Sequence, residues 1–202
     1  MQIQKDFIKE EVVRVAKREF LENGFQKASL RNIAKEVGAT TGIIYTYFKN
    51  KDELFEEVVR PALLFAEHRF SSLDNLEAFK NDISFGKEAK EPNNYFPLSS
   101  LVENFREELL LLMFKSGGSK REGFTEDVIS KKTEQYYRNL KKMEDQGMKF
   151  KVEVDPLIVR MPAKLLMLII GEMVNSGMDR QALINYEKKA LPFLHSAWKA
   201  II

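Results

Sequence analysis

Apolar residues recur at three- and four-residue spacings along almost the whole chain, and the breaks between these runs carry Gly, Pro, Asn or Ser. This pattern predicts an all-α fold of about nine helices. The first covers about 5–23, with Ile8, Val12, Val15, Ala16 and Phe20 on one stripe and Gly24 placed for the left-handed stop conformation. A short helix of about 29–37 follows, opened by the Ser29 hydroxyl and ended by Gly38. Another covers about 40–47. Asn50 then caps a fourth helix, with Glu53 as its reciprocal partner, that runs to about 70. Further helices are expected at about 75–88, 98–116, 123–146, 156–176 and 180–201, separated by Pro92 and Pro97, Gly117-Gly118, Gly147, and Gly177 with Asp179. From Met148 to Val154 apolar and charged residues alternate at a strand period, but no second strand is evident. An extended connector with Phe150 pinned to the core is the expectation.

Composition narrows the function classes. The chain has 202 residues, 44% of them hydrophobic and 31% charged, which suits one compact unit or two small ones sharing a core. There is no Cys, so disulfide frameworks, thiol nucleophiles and thiolate metal sites are excluded, and a reducing cytoplasm is the expected compartment. With His68 and His195 as the only histidines, neither a metal site nor a catalytic constellation is expected. No cofactor is called for, since Gly117-Gly118 lacks the spacing and the following Lys-Ser or Lys-Thr of a phosphate loop. The most apolar stretch, Leu157 to Val174, contains Arg160, Lys164, Glu172 and Pro162, so a buried helix is expected there and no membrane association.

Net charge is only +2, yet residues 1–51 carry ten Lys and Arg against six Asp and Glu. The positive excess therefore sits at one end, around the stretch from Ser29 to Lys51. Two short helices joined by a tight turn need a small residue at their contact, a glycine in the turn and an apolar lock on the second helix. Ala34, Gly38 and Ile44 fill these roles, and Thr40, Thr41, Thr46 and Tyr47 are left for the outer face. Arg31 and Lys51 stand at helix starts, where a cation is disfavoured unless an anion lies nearby, and a phosphate could meet the cation and free N–H groups together.

These residues carry a family resemblance. The run FLENGFQKASLRNIAKEVGA at 20–39, followed by GIIYTYF and KNKDEL up to residue 54, resembles the DNA-binding domain of the TetR family of bacterial transcriptional regulators. The resemblance is specific over about 10–60. It implies a helix-turn-helix DNA-binding domain at 1–49 and a helical effector-binding and dimerisation domain at 50–202. It places Thr41, Gly42 and Ile43 nearest base edges, with Thr40 and Thr46 secondary, and gives Ser29, Arg31, Tyr45, Tyr47 and Lys51 to phosphates. Many relatives have Lys at the position of Thr41, so methyl contacts, short hydroxyl bonds or DNA shape are expected to contribute more here.

The stretch Ala163 to Val174 is apolar on nearly every side, and the last helix carries apolar residues at near-heptad spacing. A monomeric core and a dimer face are both compatible with that. With the resemblance, Leu166, Ile169, Ile170, Met173, Leu194 and Trp198 are expected at a homodimer interface. Aromatic and Met residues on helices four to seven suit either a plain core or the family's effector cavity. Phe65, His68, Phe105, Leu109, Met113 and Tyr137 are the expected effector-binding residues, for a small apolar or aromatic ligand. Pro61 predicts a kink in helix four, either a joint or a passive bend. The implied function is a ligand-responsive regulator, a repressor released from a palindromic double-stranded operator. The alternatives are an all-α enzyme or a helical interaction protein with a non-reading helix-turn-helix.

Overall fold

The computed structural model describes residues 2–72, 75–84 and 97–202, and of 2–6, 69–72, 78, 81, 82 and 84 only the backbone. Among the described residues it is all-α: α1 (Gln2–Lys27), α2 (Leu30–Val37), α3 (Thr41–Tyr47), α4 (Lys51–Ser72), α5 (Leu76–Ser84), α6 (Leu98–Phe114), α7 (Phe124–Asp145), α8 (Pro156–Asn175) and α9 (Arg180–Ile201). The end of the expected fifth helix and the expected break at Pro92 lie outside the described residues. Between α7 and α8 there is no strand, as expected. The chain divides into two compact units, one of Met1–Leu64 with Glu107–Phe124, the other of Phe65–Arg106 with Thr125–Ile202. This partition differs from the 49/50 division because α4 and α6 each contribute residues to both units.

In the first unit the apolar stripe of α1 is buried, with Val12, Val15, Ala16 and Phe20 packed beside Phe25, Ile33, Ile44 and Phe55. The Phe20, Phe25 and Phe55 rings meet pairwise at centroid distances of 5.1–5.9 Å. Gly24 adopts φ 68°, which an L side chain would resist, but α1 resumes for one more turn instead of stopping there. That turn aims the Phe25 N–H at the Lys115 carbonyl, 2.9 Å away. Lys17 bridges Glu107 at 2.6 Å and Glu108 at 2.9 Å. Burial lowers the affinity of its ammonium for the proton, yet the hydrogen bonds and charges of the two carboxylates outweigh this and raise its pKa above the usual lysine range. Arg121 grips Glu56 through two bonds of 2.6 Å, and Lys120 donates its backbone N–H to Asp52 at 2.8 Å, fixing the loop after α6 against the start of α4. Pro61 lies exposed, and α4 runs through it as one helix.

The second unit is organised around Trp198 of α9, whose ring meets Tyr136 at 5.0 Å and Phe79 at 6.1 Å, both edge-on. Two polar side chains finish helices to which they do not belong. The buried Glu187 carboxylate accepts the Leu98 and Ser99 N–H groups at 2.8 and 3.0 Å, so α9 caps α6. Arg106 donates to the carbonyls of Met173, Val174 and Met178, so α6 caps the end of α8. Local caps start the last two helices, Asp155 on the Leu157 N–H and Asp179 on the Ala182 N–H. In the connector it is Val154, not Phe150, that is fully buried. Phe150 is half-buried, and the next residue, Lys151, ties the segment to the carbonyls of Ile201 and Lys199.

Candidate nucleic-acid interface

Helix α2 starts under the control of two side chains. Ser29 caps it locally, accepting the Asn32 N–H at 3.4 Å. Glu19 of α1 accepts the Ser29 N–H at 2.9 Å and an Asn32 amide proton at 3.4 Å, a role that no local pattern announced. Removing it through Glu19→Ala leaves that N–H without its carboxylate and is expected to lower stability by about 1 kcal/mol, read from urea unfolding. Gly38 then reverses the chain with φ 72°, its N–H and that of Ala39 satisfying the last carbonyls of α2. The turn throws α3 across α2, where Ile44 and Phe48 lock it into the core.

The outer face of α3 consists of Gly42, Ile43, Tyr45 and Thr46, all exposed, with Thr41 and Tyr47 half-buried at the margins and Thr40 exposed at the cap. Thr46 donates its hydroxyl proton to the Ile43 carbonyl at 2.7 Å. Thr40 makes no side-chain cap bond. Arg31 stands exposed in the first turn of α2, with Ser29 half-buried beside it. Lys51 is more engaged than a free phosphate clamp. Its ammonium donates to the carbonyls of Gln26 and Ala28, both at 3.2 Å, and lies 4.6 Å from the centre of the Phe25 ring, so it secures the junction of α1 and α2 and keeps one N–H to offer.

Ion pairing divides the cations of this unit. Lys9, Arg14, Lys17, Arg18 and Arg60 on α1 and α4 each face a carboxylate. Lys27, Arg31, Lys35 and Lys49, which bracket α2 and α3, are exposed and have no ion pair among the described residues. The positive potential is thus left uncompensated around the bare face of α3, where a polyanion would meet it.

The other expected sites fare differently. Ile169, Ile170, Met173, Leu194 and Trp198 are buried within the chain's own core, and Leu166 is half-exposed. A helix apolar on every side has no phase from which to read its inward face, and the outward positions prove to be Leu157, Met161 and Leu168 of α8, with Phe193 of α9. Of the effector set, Phe65 and Phe105 meet at 5.3 Å in the second unit. His68 is exposed there, and Tyr137 is half-buried with the Lys141 ammonium 5.8 Å from its ring centre. Leu109 and Met113 belong to the first unit, so the structure does not collect the six within one unit. Among the described residues no three His, Asp or Glu side chains gather as metal ligands.

Comparison with known proteins agrees with this geometry. Residues 12–58 match the bacterial regulatory proteins, tetR family. An HTH-type transcriptional regulator of Staphylococcus aureus is 24% identical over 147 residues, 72% of this chain and 74% of that protein. The HTH-type transcriptional regulator AcrR of Shigella flexneri is 42% identical over 50 residues, 25% of this chain and 23% of that protein. In fold the chain is similar to NalD, the secondary repressor of the MexAB-OprM multidrug efflux pump in Pseudomonas aeruginosa, with a TM-score of 0.64 and 20% identity over 98% of this chain and 97% of that one.

Proposed function

We propose, from the match of residues 12–58 to the bacterial regulatory proteins of the tetR family, that the chain is a ligand-responsive transcriptional repressor of that family, not an enzyme, acting as a homodimer on a palindromic operator. The observation that carries this reading is the exposed, charge-free face of α3, held on a buried core and bracketed by Lys27, Arg31, Lys35 and Lys49, cations without an ion pair among the described residues. Helix α3 enters the major groove with Thr41, Gly42 and Ile43 foremost. Ser29, Arg31, Tyr45, Tyr47 and Lys51 hold the phosphates, as positioning contacts that fix register. A partner copy docks on the outward residues of α8 and α9 and offers a second α3 to the next turn of the duplex, about 34 Å away. The effector is a small apolar or aromatic molecule held by the helical second unit, and its binding favours a conformation with lower operator affinity. No described helix is long and apolar enough to cross a membrane.

Titration of the purified chain against the duplex upstream of its own coding sequence, at rising salt, tests this. Affinity is expected to fall steeply, and Arg31→Ala, which removes one phosphate contact from each protomer, is expected to reduce the slope of log K against log salt by about two. Dimerisation without any DNA affinity would favour the interaction-protein alternative.

A further inference from the structure

The outer face of α3 has an uncommon chemistry for a helix that reads bases. From Thr41 to Tyr47 it carries no guanidinium, ammonium or carboxamide. Guanine is ordinarily read through Arg or Lys on O6 and N7, and adenine through Asn or Gln on N6 and N7, so neither bidentate contact can come from this helix. Its hydroxyls are only partly available. Thr46 commits its proton to the Ile43 carbonyl and retains acceptor capacity alone.

The group that remains at the centre of the face is apolar. Ile43 is 36% exposed, while its neighbour Ile44 is 1% exposed and fully occupied in the core. Gly42 beside Ile43 carries no side chain, and a Cβ placed there would meet only the Thr40 Oγ1, at 3.6 Å, so the backbone at this point can come close to whatever α3 faces. The major groove offers one apolar landmark, the C5-methyl group of thymine.

Building on the DNA-binding reading above, we propose that Ile43 is a specificity residue that reads a thymine methyl, so that each half-site is selected by a thymine at one fixed position and not by a guanine under α3. Packing the Ile43 side chain on the methyl removes apolar surface from water on both sides. A guanine or cytosine at that position sets O6 and N7, or an amino group, against an alkyl surface that cannot hydrogen-bond, and the desolvated polar edge is left without a partner. Discrimination therefore has an attractive and a repulsive part.

The test starts from a random-sequence duplex library, selected for binding to the full-length chain, so no prior operator is needed. Enriched half-sites are expected to share an invariant thymine and to lack an invariant guanine at the positions covered by α3. Deoxyuridine in place of that thymine deletes only the methyl group and leaves the protein untouched. Binding is expected to weaken about fourfold for one half-site and about fifteenfold for both. With Ile43→Ala the thymine and uracil duplexes are expected to bind alike, and with Ile43→Val most of the difference is expected to survive. Thermal melting followed by circular dichroism checks that both variants are folded. Equal binding of thymine and uracil duplexes by the parent chain, or an undiminished uracil penalty in Ile43→Ala, overturns the proposal while leaving the regulator reading intact. Failure to enrich any duplex overturns that reading and this one with it.

Discussion

Replacing Trp198 with Ala is expected to lower the unfolding free energy by about 3–5 kcal/mol, read as a large downward shift of the urea midpoint. The indole is 2% exposed and sits against the Tyr136 and Phe79 rings, so its removal deletes two edge-on aromatic contacts and leaves a hole ringed by side chains from α5, α7 and α9. These helices are otherwise held by Leu140, Met143, Leu183 and Leu194, all buried, and a cavity at their common point cannot close without moving several of them. At temperatures where the variant remains folded, its oligomeric state in sedimentation is expected to equal that of the parent. A small stability change combined with loss of self-association would instead return Trp198 to an interface.

That residue also marks how far the sequence could be read. Helix existence and ends were legible because the signals are local. Ser29, Asn50, Asp155 and Asp179 accept the N–H groups within the turns they begin, and Gly38 takes the left-handed conformation that ends α2. Even here Glu53 reaches the Lys49 N–H at 2.6 Å, one residue before the expected partner. The helix-turn-helix was legible for a further reason: with Ile44 inward and Gly42, Ile43 and Thr46 outward, a short amphipathic helix has only one way to lie.

What escaped was long-range or lacked a phase. Glu19, Glu187 and Arg106 complete helices that are remote in the chain or lie on other elements, and surface charges of the same types are scattered throughout the sequence. On α8, apolar residues occupy both faces, so spacing alone could not tell Ile169, Ile170 and Met173, which are buried, from Met161 and Leu168, which are not. Lys51 illustrates a third case. The helix-start argument expected an anion beside it, but two backbone carbonyls and an aromatic face already supply partners, so part of its value lies in building the reading head.

Introducing Leu168→Glu together with Phe193→Glu is expected to convert the proposed dimer to a monomer and to weaken binding to the proposed operator by at least about a hundredfold, since two linked half-site contacts become one. Leu157, Met161 and Leu168 follow one another along the exposed side of α8 at 75%, 63% and 60% exposure, and Phe193 of α9 is 69% exposed. Large apolar side chains open to water on two helices that pack together gain by meeting a second copy, and a two-fold axis lets the same residues serve both sides. The substitutions touch no buried side chain, so monomer stability is expected to change by no more than about 0.5 kcal/mol per site. The slope of log K against log salt is expected to fall by about half, because one protomer's phosphates are lost. Paired with Trp198→Ala, the experiment separates two roles that a wholly apolar helix pair conceals: the inward residue governs folding, and the outward residues govern assembly. A doubly substituted chain that still sediments as a dimer would move the partner surface off α8 and α9 and leave these four side chains without an assigned contact.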